Sequence, residues 1–356
     1  MTPSHPTELP FVFRAVDDDP AHQKWRREFS NRWPAYESWF LRGGESERPT
    51  YLESLTALKN HMPEFVDTYE SLAELVGGGD HAARFLAQYS PPPLFRGCSQ
   101  AVYIKDEPVI VRNYDYSPFL SDGLVMRTQF GDRQVIAATD CMTGVLDGIN
   151  EDGLALSMAF GGRKEFAEGF SITLVLRYLL EYCANVNDVF KRISEIPING
   201  AYNIAAVDRN TDHCTIAVAP GENATKTDNF VSTNHQKKSN WPEYADKVKT
   251  QLRFDYLNNA VDNSDDSVDT FPNHFLQTPL FNNLYAKGFG TVYTAAYYPA
   301  RGEARYLWPG HHWSLTFDQF IESTYEFNLH DPDGFPYQSA QYAEFATQTH
   351  VPGLSF

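Results

Sequence analysis

The first 90 residues place apolar side chains at helical spacing and end in a run of prolines. Intervals of three and four residues separate five aromatic side chains between residues 21 and 43, namely Trp25, Phe29, Trp33, Tyr36 and Phe40. Leucines continue this spacing over residues 51–76, and a short helix is predicted over 80–89. Three successive prolines, Pro91 to Pro93, then fix φ and remove backbone donors, which predicts a stiff extended connector. The pattern therefore indicates a helical N-terminal segment.

The period of the apolar positions changes to two beyond the connector. Three strand pairs are predicted around short turns, at 99–105 and 108–115, at 124–130 and 133–139, and at 145–149 and 154–160. Later strands are predicted at 202–208, 214–218, 229–233, 290–298 and 303–308, and helices at 171–195, 242–260 and 316–325. Paired antiparallel strands between helical blocks favour an α+β layered fold over a parallel α/β sheet.

Composition and charge exclude several classes of partner. The chain has 356 residues, of which 42% are hydrophobic, so a substantial core can form. Its 29 basic and 46 acidic residues give a formal charge of −17, which argues against nucleic acid or an anionic membrane surface as a partner. No apolar run approaches the roughly 18 residues of a membrane helix, and residues 1–20 lack the pattern of a secretory signal. A cytoplasmic protein whose four cysteines are reduced thiols is expected.

The string RGCSQAVYIKDEPVIVRNYD, residues 96–115, contains the residue types that nucleophilic catalysis needs. Cys98 follows Gly97 at the opening of the first predicted strand. Arg112 and Asp115 come 14 and 17 residues after Cys98, on the second strand. A tight hairpin brings the end of the second strand back beside the start of the first, so Arg112 and Asp115 are predicted to flank Cys98.

This Gly-Cys junction followed by Arg-Asn-x-Asp resembles the N-terminal-nucleophile (Ntn) cysteine hydrolases. The resemblance is strongest to the isopenicillin N acyltransferase branch, relatives of choloylglycine hydrolase and penicillin V acylase. Three further strings agree, and they are Asp147 to Leu154 (DGINEDGL), Ser232 to His235 (STNH) and Gly290 to Thr294 (GTVYT). The resemblance spans most of residues 90–310. It implies an αββα sandwich of two antiparallel sheets between helical layers, with a helical N-terminal extension, and a division into residues 1–97 and a catalytic domain, 98–356.

The resemblance also implies self-cleavage between Gly97 and Cys98. Glycine suits this position because it tolerates the unusual backbone geometry that exposes its carbonyl group. The cut gives Cys98 a free α-amine, whose reference pKa of about 7.7–8.0 lets it take the thiol proton. A small-molecule amide is then the expected substrate, and no cofactor is implied.

Four other residues receive roles from the same resemblance. Arg112 favours the thiolate of Cys98, and Asp115 holds the α-ammonium group. Asn234 donates its amide to the oxyanion, with a backbone N–H near Phe160 as the second donor. Departures from the family pattern leave substrate recognition open, because the relatives use a further arginine near the late strand. Lys287 and Arg305 are the candidates for that role here.

Each assignment has a structural alternative. Cys98 is also compatible with a small buried hydrophobe, Arg112 and Asp115 with a surface ion pair, and Asn234 with a helix cap or turn. The side chain of Phe160 is also compatible with a core or pocket-wall role. His311 and His312 have no spacing that directs both rings at one metal ion, so no metal is expected.

Three functions remain open at this point. The first is hydrolysis of a linear amide through an acyl-thioester on Cys98, and the second is transfer of the acyl group to an amine. The third is a ligand-binding scaffold that is neither cut nor catalytic. Aromatic residues form 14% of the chain, which weakly favours an apolar or aromatic acyl group. The apolar N-terminal helices suggest that the N-terminal piece stays associated after cleavage.

Overall fold

In the part of the chain that the structure describes, the N-terminal segment has four α-helices preceded by a strand. The computed structural model describes residues 7–93, 97–285 and 290–332. The helices are α1 (Gln23–Phe40), α2 (Tyr51–His61), α3 (Val66–Leu75) and α4 (Asp80–Leu86). They confirm the helical character that the spacing predicted. At the start of α2, Thr50 accepts a hydrogen bond from the Glu53 N–H while the Glu53 carboxylate accepts one from the Thr50 N–H, which is a capping box.

The strand β1 (Glu8–Asp17) was missed by the sequence analysis. It pairs in parallel with the strand Leu124–Thr128 and antiparallel with the strand Ser323–His330, and it is therefore an inner strand of its sheet. Residues 8–17 are therefore not part of the helical layer of the N-terminal segment.

The remaining strands form two antiparallel sheets, apart from the parallel pairing of β1. In chain order they are β2 (Gly97–Ile104), β3 (Pro108–Tyr116), β4 (Leu124–Thr128), β5 (Val135–Asp140), β6 (Gly144–Asn150), β7 (Leu154–Phe160), β8 (Tyr202–Asp208), β9 (His213–Val218), β10 (Thr225–Thr227), β11 (Val231–Ser232), β12 (Gly290–Tyr298), β13 (Glu303–Trp308), β14 (His311–Thr316) and β15 (Ser323–His330). The nine-stranded sheet has the order β10-β9-β8-β7-β6-β5-β4-β1-β15. The six-stranded sheet has the order β11-β2-β3-β12-β13-β14.

The two sheets pack face to face, with helices on both outer faces. β2 and β3 lie over β7 and β8, and β12 and β13 lie over β6. Helices α5 (Ile172–Tyr182) and α6 (Val186–Ile193) cover the nine-stranded sheet, while α8 (Thr250–Asn263) covers β2 and β11. The layers are helix, sheet, sheet and helix, which confirms the predicted αββα sandwich.

Two predicted helices are interrupted. The helix predicted over 171–195 ends at Tyr182 and restarts at Val186, where the Asn185 side chain accepts hydrogen bonds from two backbone N–H groups. The helix predicted over 242–260 consists of α7 (Pro242–Lys247) and α8, separated by Lys249 at a φ of 50°.

The helix predicted over 316–325 is wrong. β14 ends at Thr316 and β15 begins at Ser323. The apolar residues Phe317, Phe320 and Ile321 have a spacing that resembles one helical face. However, β1 offers a partner edge, and Ser323–His330 pairs with it over eight residues. Tertiary strand pairing decides the structure of this segment over its local pattern.

Among the described ranges, no helix has the length and apolar character needed to cross a membrane.

Candidate active site

The β2–β3 hairpin places Cys98 and Arg112 on one face of the six-stranded sheet. Cys98 pairs with Tyr114 across the ladder, and Arg112 lies two residues before Tyr114, so these side chains point to the same face. That face looks toward the nine-stranded sheet. The Arg112 Nη2 donates to the Cys98 Sγ at 3.0 Å, and both residues are fully buried. The predicted approach of Arg112 to Cys98 is present in the structure.

The guanidinium of Arg112 is fixed by further hydrogen bonds, one of which runs from its Nη1 to the Tyr293 hydroxyl at 3.3 Å. Its Nε donates to the carbonyl oxygen of Met158 at 2.9 Å, and its Nη1 donates to the Asp147 carboxylate at 2.5 Å. Burial acts to lower the pKa of Arg112, but the nearby Cys98 and Asp147 more than offset this and raise the pKa above its usual range. The guanidinium is therefore a permanent charge at the thiol.

Asn234 holds the backbone nitrogen of Cys98. It follows β11, and the register of β11 with β2 brings it level with Cys98. The Asn234 Oδ1 accepts from the Cys98 N–H at 2.8 Å, and its Nδ2 donates to the Phe160 carbonyl oxygen at 3.1 Å. Because a backbone N–H and a guanidinium from Arg253 both face the oxygen, the amide has only one orientation that satisfies its neighbours.

Arg253 is the site residue that the sequence analysis missed. Its Nη1 donates to the Cys98 carbonyl oxygen at 2.8 Å and to the Ser99 hydroxyl at 2.7 Å, and its Nη2 donates to the Asn234 Oδ1 at 2.8 Å. The signal was present in the pattern of α8. Arg253 shares the buried face of that helix with Leu257, and a charged residue on a buried face is unusual.

Asp115 lies on the opposite face of the sheet from the Cys98 sulfur. It pairs with Gly97 across the ladder, and its carboxylate accepts from the Thr291 hydroxyl at 2.7 Å and from Arg253 at 3.3 Å. Burial raises the pKa of Asp115, although Arg253 and Thr291 oppose this rise. Asp115 therefore lies beside position 97, on the face opposite the Cys98 sulfur. Of the two residues predicted to flank Cys98, Arg112 is the one that contacts the sulfur.

The main chain and the ring of Phe160 lie in different surroundings. Its carbonyl oxygen faces Asn234, while its ring packs edge-on against Tyr244 with centroids 5.3 Å apart. The next backbone N–H, that of Gly161, donates to the Ala201 carbonyl oxygen at 2.8 Å, just beyond the end of the β7–β8 pairing.

Of the two candidate substrate-binding cations, Arg305 is described by the structure and is not brought to Cys98. Lys287 lies outside the described residues. Arg305 is on β13, three strands from Cys98, which corresponds to about 14 Å at the usual strand spacing. Its guanidinium donates to Asp269 at 3.1 Å and to Glu303 at 2.9 Å.

Two of the other cysteines, Cys183 and Cys214, have surroundings that do not favour a thiolate. Burial raises the pKa of Cys183 to about 12 and that of Cys214 to about 11. A possible metal-binding cluster in the described part of the chain is Glu45, Asp80 and His81. The guanidinium of Arg84 already donates to both of its carboxylates, at 3.1 and 3.0 Å, so its charge is compensated without an ion.

The fold and the site together define a class of protein. A buried cysteine at the start of a strand, beside a guanidinium and between two antiparallel sheets with outer helices, is the arrangement of an N-terminal-nucleophile hydrolase. A family model described as "Acyl-coenzyme A:6-aminopenicillanic acid acyl-transferase" matches residues 103–313. The match covers more than half of the chain, and the protein belongs to this family. The resemblance read from the sequence is thereby confirmed.

Several solved structures are similar to the chain. Penicillin V acylase from Agrobacterium tumefaciens is 13% identical with a TM-score of 0.46, over 64% of this chain and 90% of that one. A mutant of conjugated bile acid hydrolase from Clostridium perfringens is 14% identical with a TM-score of 0.43, over 66% and 98%. An orthologue of N-acylethanolamine-hydrolyzing acid amidase from Caenorhabditis elegans is 16% identical with a TM-score of 0.41, over 57% and 93%. No curated protein sequence matches the chain.

Proposed function

We propose that the protein is a self-processing cysteine hydrolase that cleaves a linear amide bond of a small molecule through an acyl-thioester on Cys98. The observation that carries this proposal is the contact of the Arg112 guanidinium with the Cys98 sulfur in a fully buried site. A permanent cation at 3.0 Å stabilises a thiolate, and a thiolate is the nucleophilic form of cysteine.

The first step of the proposal is cleavage of the bond between Gly97 and Cys98. The Cys98 sulfur attacks the Gly97 carbonyl carbon, the C–N bond breaks, and the thiol proton moves to the departing nitrogen. Water then hydrolyses the resulting thioester, which leaves a carboxylate on Gly97 and a thiol and an α-amine on Cys98. The contact of the Asn234 Oδ1 with the Cys98 N–H supports this step, because it holds the nitrogen of the scissile bond.

The second step is attack on the substrate. The α-amine takes the thiol proton, the sulfur bonds to the acyl carbon, and the α-ammonium returns the proton to the leaving amine. Water then releases the acyl group from the sulfur. Asp115 lies opposite position 97, so its carboxylate is available to the ammonium once Gly97 is detached. Asn234 and a backbone N–H near Phe160 are proposed as donors to the oxyanion.

The N-terminal piece remains in place in this proposal because its contacts with the catalytic domain are extensive. β1 is an inner strand of the nine-stranded sheet, between β4 and β15. The turn at 141–143, where Cys141 and Met142 have φ angles of 53° and 62°, is also held by the N-terminal segment. Trp25 donates to the Met142 carbonyl oxygen at 3.2 Å, and Gln88 donates to the Thr143 hydroxyl at 2.7 Å.

Acyl transfer is the second candidate function, and the name of the matched family favours it. Transfer and hydrolysis share the acyl-thioester and differ in whether an amine or water attacks it. An apolar or aromatic acyl group is the proposed substrate class. The described cysteines form no disulfide with one another, which fits the reducing cytoplasm that we propose as the location.

Intact-mass analysis under denaturing conditions tests the proposal. The wild-type chain should give two pieces, residues 1–97 and 98–356, with Cys98 first in the larger piece. Cys98→Ala should remain whole and inactive. Cys214→Ala, which removes a different buried thiol, should be cut like the wild type. A chain that stays whole and still hydrolyses amides would contradict the proposal, because its α-amine is locked in a peptide bond.

Trapping of the intermediate separates hydrolysis from transfer. A mass increase on the larger piece that equals the acyl group should appear on rapid quenching with substrate. Adding an amine should divide the product between free acid and a new amide. An acyl group that always leaves to water identifies a hydrolase, and preferential capture by the amine identifies a transferase.

A further inference from the structure

Asp147 connects the two sheets at the candidate site. It is the first residue of the DGINEDGL string, which the proposed chemistry does not otherwise use, and it lies on β6 of the nine-stranded sheet. Its side chain is fully buried. The Asp147 Oδ2 accepts from the Arg112 Nη1 at 2.5 Å and from the Tyr293 hydroxyl at 2.8 Å, and its Oδ1 accepts from the Tyr297 hydroxyl. All three donors belong to the opposite sheet.

We propose that Asp147 is a positioning residue that holds the Arg112 guanidinium against the Cys98 sulfur; this rests on the proposed function of Cys98. The guanidinium is a planar fork, and its three nitrogens face three different acceptors. These are the Met158 carbonyl oxygen, the Asp147 carboxylate and the Cys98 sulfur. Two fixed acceptors determine the plane and the direction of the third N–H. Asp147 therefore sets where the cation lies relative to the thiol.

Charge compensation acts in the same direction. A guanidinium buried without a counter-charge is strongly unfavourable, so it moves toward any available polar group or water. The Asp147 carboxylate balances the charge of the Arg112 guanidinium, whether Cys98 is a thiol or a thiolate. The sulfur can therefore change its protonation state during the reaction while Arg112 stays in place.

The N-terminal piece supports this arrangement through its strand. Phe13 of β1 packs against the rings of Tyr293 and Tyr306, with centroid separations of 5.5 and 5.2 Å. The Tyr306 hydroxyl in turn lies 2.9 Å from that of Tyr297. Tyr293, which holds Asp147, is thus packed directly against a residue on the other side of the proposed cut, and Tyr297 is connected to that residue through Tyr306.

The test is a titration of the Cys98 thiolate in Asp147→Asn. Thiolate absorbance at 240 nm, measured against the matching Cys98→Ser protein at each pH, reports position 98 and needs no substrate. If Asp147 positions Arg112, its loss lets the guanidinium move away, and the thiolate midpoint should rise by about one pH unit. If Asp147 only balances charge, Arg112 stays in place with a larger net positive field, and the midpoint should fall.

Kinetics and a double-mutant cycle complete the test. In Asp147→Asn, kcat should fall about a hundredfold with little change in KM, because positioning acts on the transition state. In an Arg112→Met background, adding Asp147→Asn should have no further effect on kcat. Asp208→Asn is the matched control. Asp208 is a buried aspartate of the same sheet that accepts backbone hydrogen bonds, and its variant should retain wild-type kcat and midpoint.

The outcomes separate this inference from the proposed function. A wild-type protein without a thiolate signal from position 98 contradicts both. A wild-type signal whose midpoint is unchanged or lower in Asp147→Asn contradicts the positioning role alone, as does an equal loss of kcat in the two arginine backgrounds. If Asp147→Asn does not fold, Tyr297→Phe removes one of the hydroxyl groups that hold the carboxylate. This variant should raise the midpoint by a smaller amount, and an unchanged midpoint would contradict the inference.

Discussion

Two fully buried arginines, Arg112 and Arg177, have surroundings that differ in one respect. Arg112 donates to a carboxylate, a carbonyl oxygen and a thiol. Arg177, on α5, donates to the Glu181 carboxylate at 3.3 Å, to the Thr143 carbonyl oxygen at 3.1 Å and to the Thr128 hydroxyl at 2.7 Å. Both are ion pairs within the core. Only the first directs a nitrogen at a thiol, that of the proposed nucleophile Cys98.

The pKa values of Arg112 and Arg177 shift in opposite directions because their neighbouring groups differ. Burial lowers the pKa of Arg177, and Glu181 only partly offsets this. Burial also raises the pKa of Glu181 to about 7, although Arg177 opposes the rise. In contrast, the pKa of Arg112 lies above its usual range because Cys98 and Asp147 both favour its charge. The acceptors of Arg112 thus include the thiol of the proposed nucleophile, whereas those of Arg177 are a carboxylate, a carbonyl oxygen and a hydroxyl group.

The largest expected effect is on turnover, and it is seen when each of the two arginines is replaced by methionine in a separate variant. Arg112→Met should reduce turnover per folded molecule by about a thousandfold, because the thiolate loses its cation. Arg177→Met should leave turnover close to wild type but reduce the free energy of unfolding by about 3 kcal/mol, since Glu181 loses its buried partner. Steady-state kinetics and urea denaturation measure the two effects. Equal losses of turnover would remove the distinction between the two sites.

Arg253 is expected to behave like Arg112, because it also donates to atoms of the proposed site. Arg253→Met should reduce turnover about a hundredfold, because the Cys98 carbonyl oxygen and the Asn234 amide both lose a charged donor. Arg192→Met, which replaces an arginine of α6 that donates to Glu64 and Tyr178, is the control and should retain turnover. Activity of Arg253→Met within a few-fold of wild type would place Arg253 with Arg177 as a structural residue.

The pH dependence of the free energy of unfolding tests the structural role of the Arg177–Glu181 pair. The folded-state pKa of Glu181 is about 7, above the usual value for a free glutamate, so the folded state binds more protons between the two values. The stability that this group contributes is therefore present at low pH and is lost as the pH rises through about 7. In Glu181→Gln this pH-dependent loss of free energy of unfolding, about 3 kcal/mol, should be absent. The Tm of the variant should therefore depend less on pH between 5 and 8 than the Tm of the wild type. Asp122, whose pKa burial raises to about 6, titrates in the same window, so Asp122→Asn is the parallel measurement.

The smallest expected effect is at the turn that the N-terminal segment holds. Trp25→Phe keeps an aromatic ring but removes the hydrogen bond to the Met142 carbonyl oxygen. The free energy of unfolding should fall by about 1 kcal/mol, with no change in turnover. A tenfold loss of turnover in this variant would show that the N-terminal contacts reach the catalytic side directly.

Much of the fold was predictable where the pattern is local. The strands at 154–160, 202–208, 290–298 and 303–308 have the bounds that alternation predicted. The hairpin that carries Cys98 and Arg112 was also predicted, because a short turn, residues 105–107 in the structure, joins two strands of clear period two. β1 was missed, although Phe11, Phe13 and Ala15 alternate, because its two partners are strands more than 100 residues away.

The sequence by itself determined the residue types around Cys98 and the hairpin that carries Cys98 and Arg112. It placed a cysteine after a glycine and an arginine one hairpin later. The tertiary structure decided the rest. Asp147, 35 residues from Arg112, and Arg253, 155 residues from Cys98, meet these residues only because two sheets and a helix stack as layers. Alternation within a strand fixes which side chains share a face. It does not fix which other element packs on that face, since this depends on how all the apolar faces of the chain are buried together.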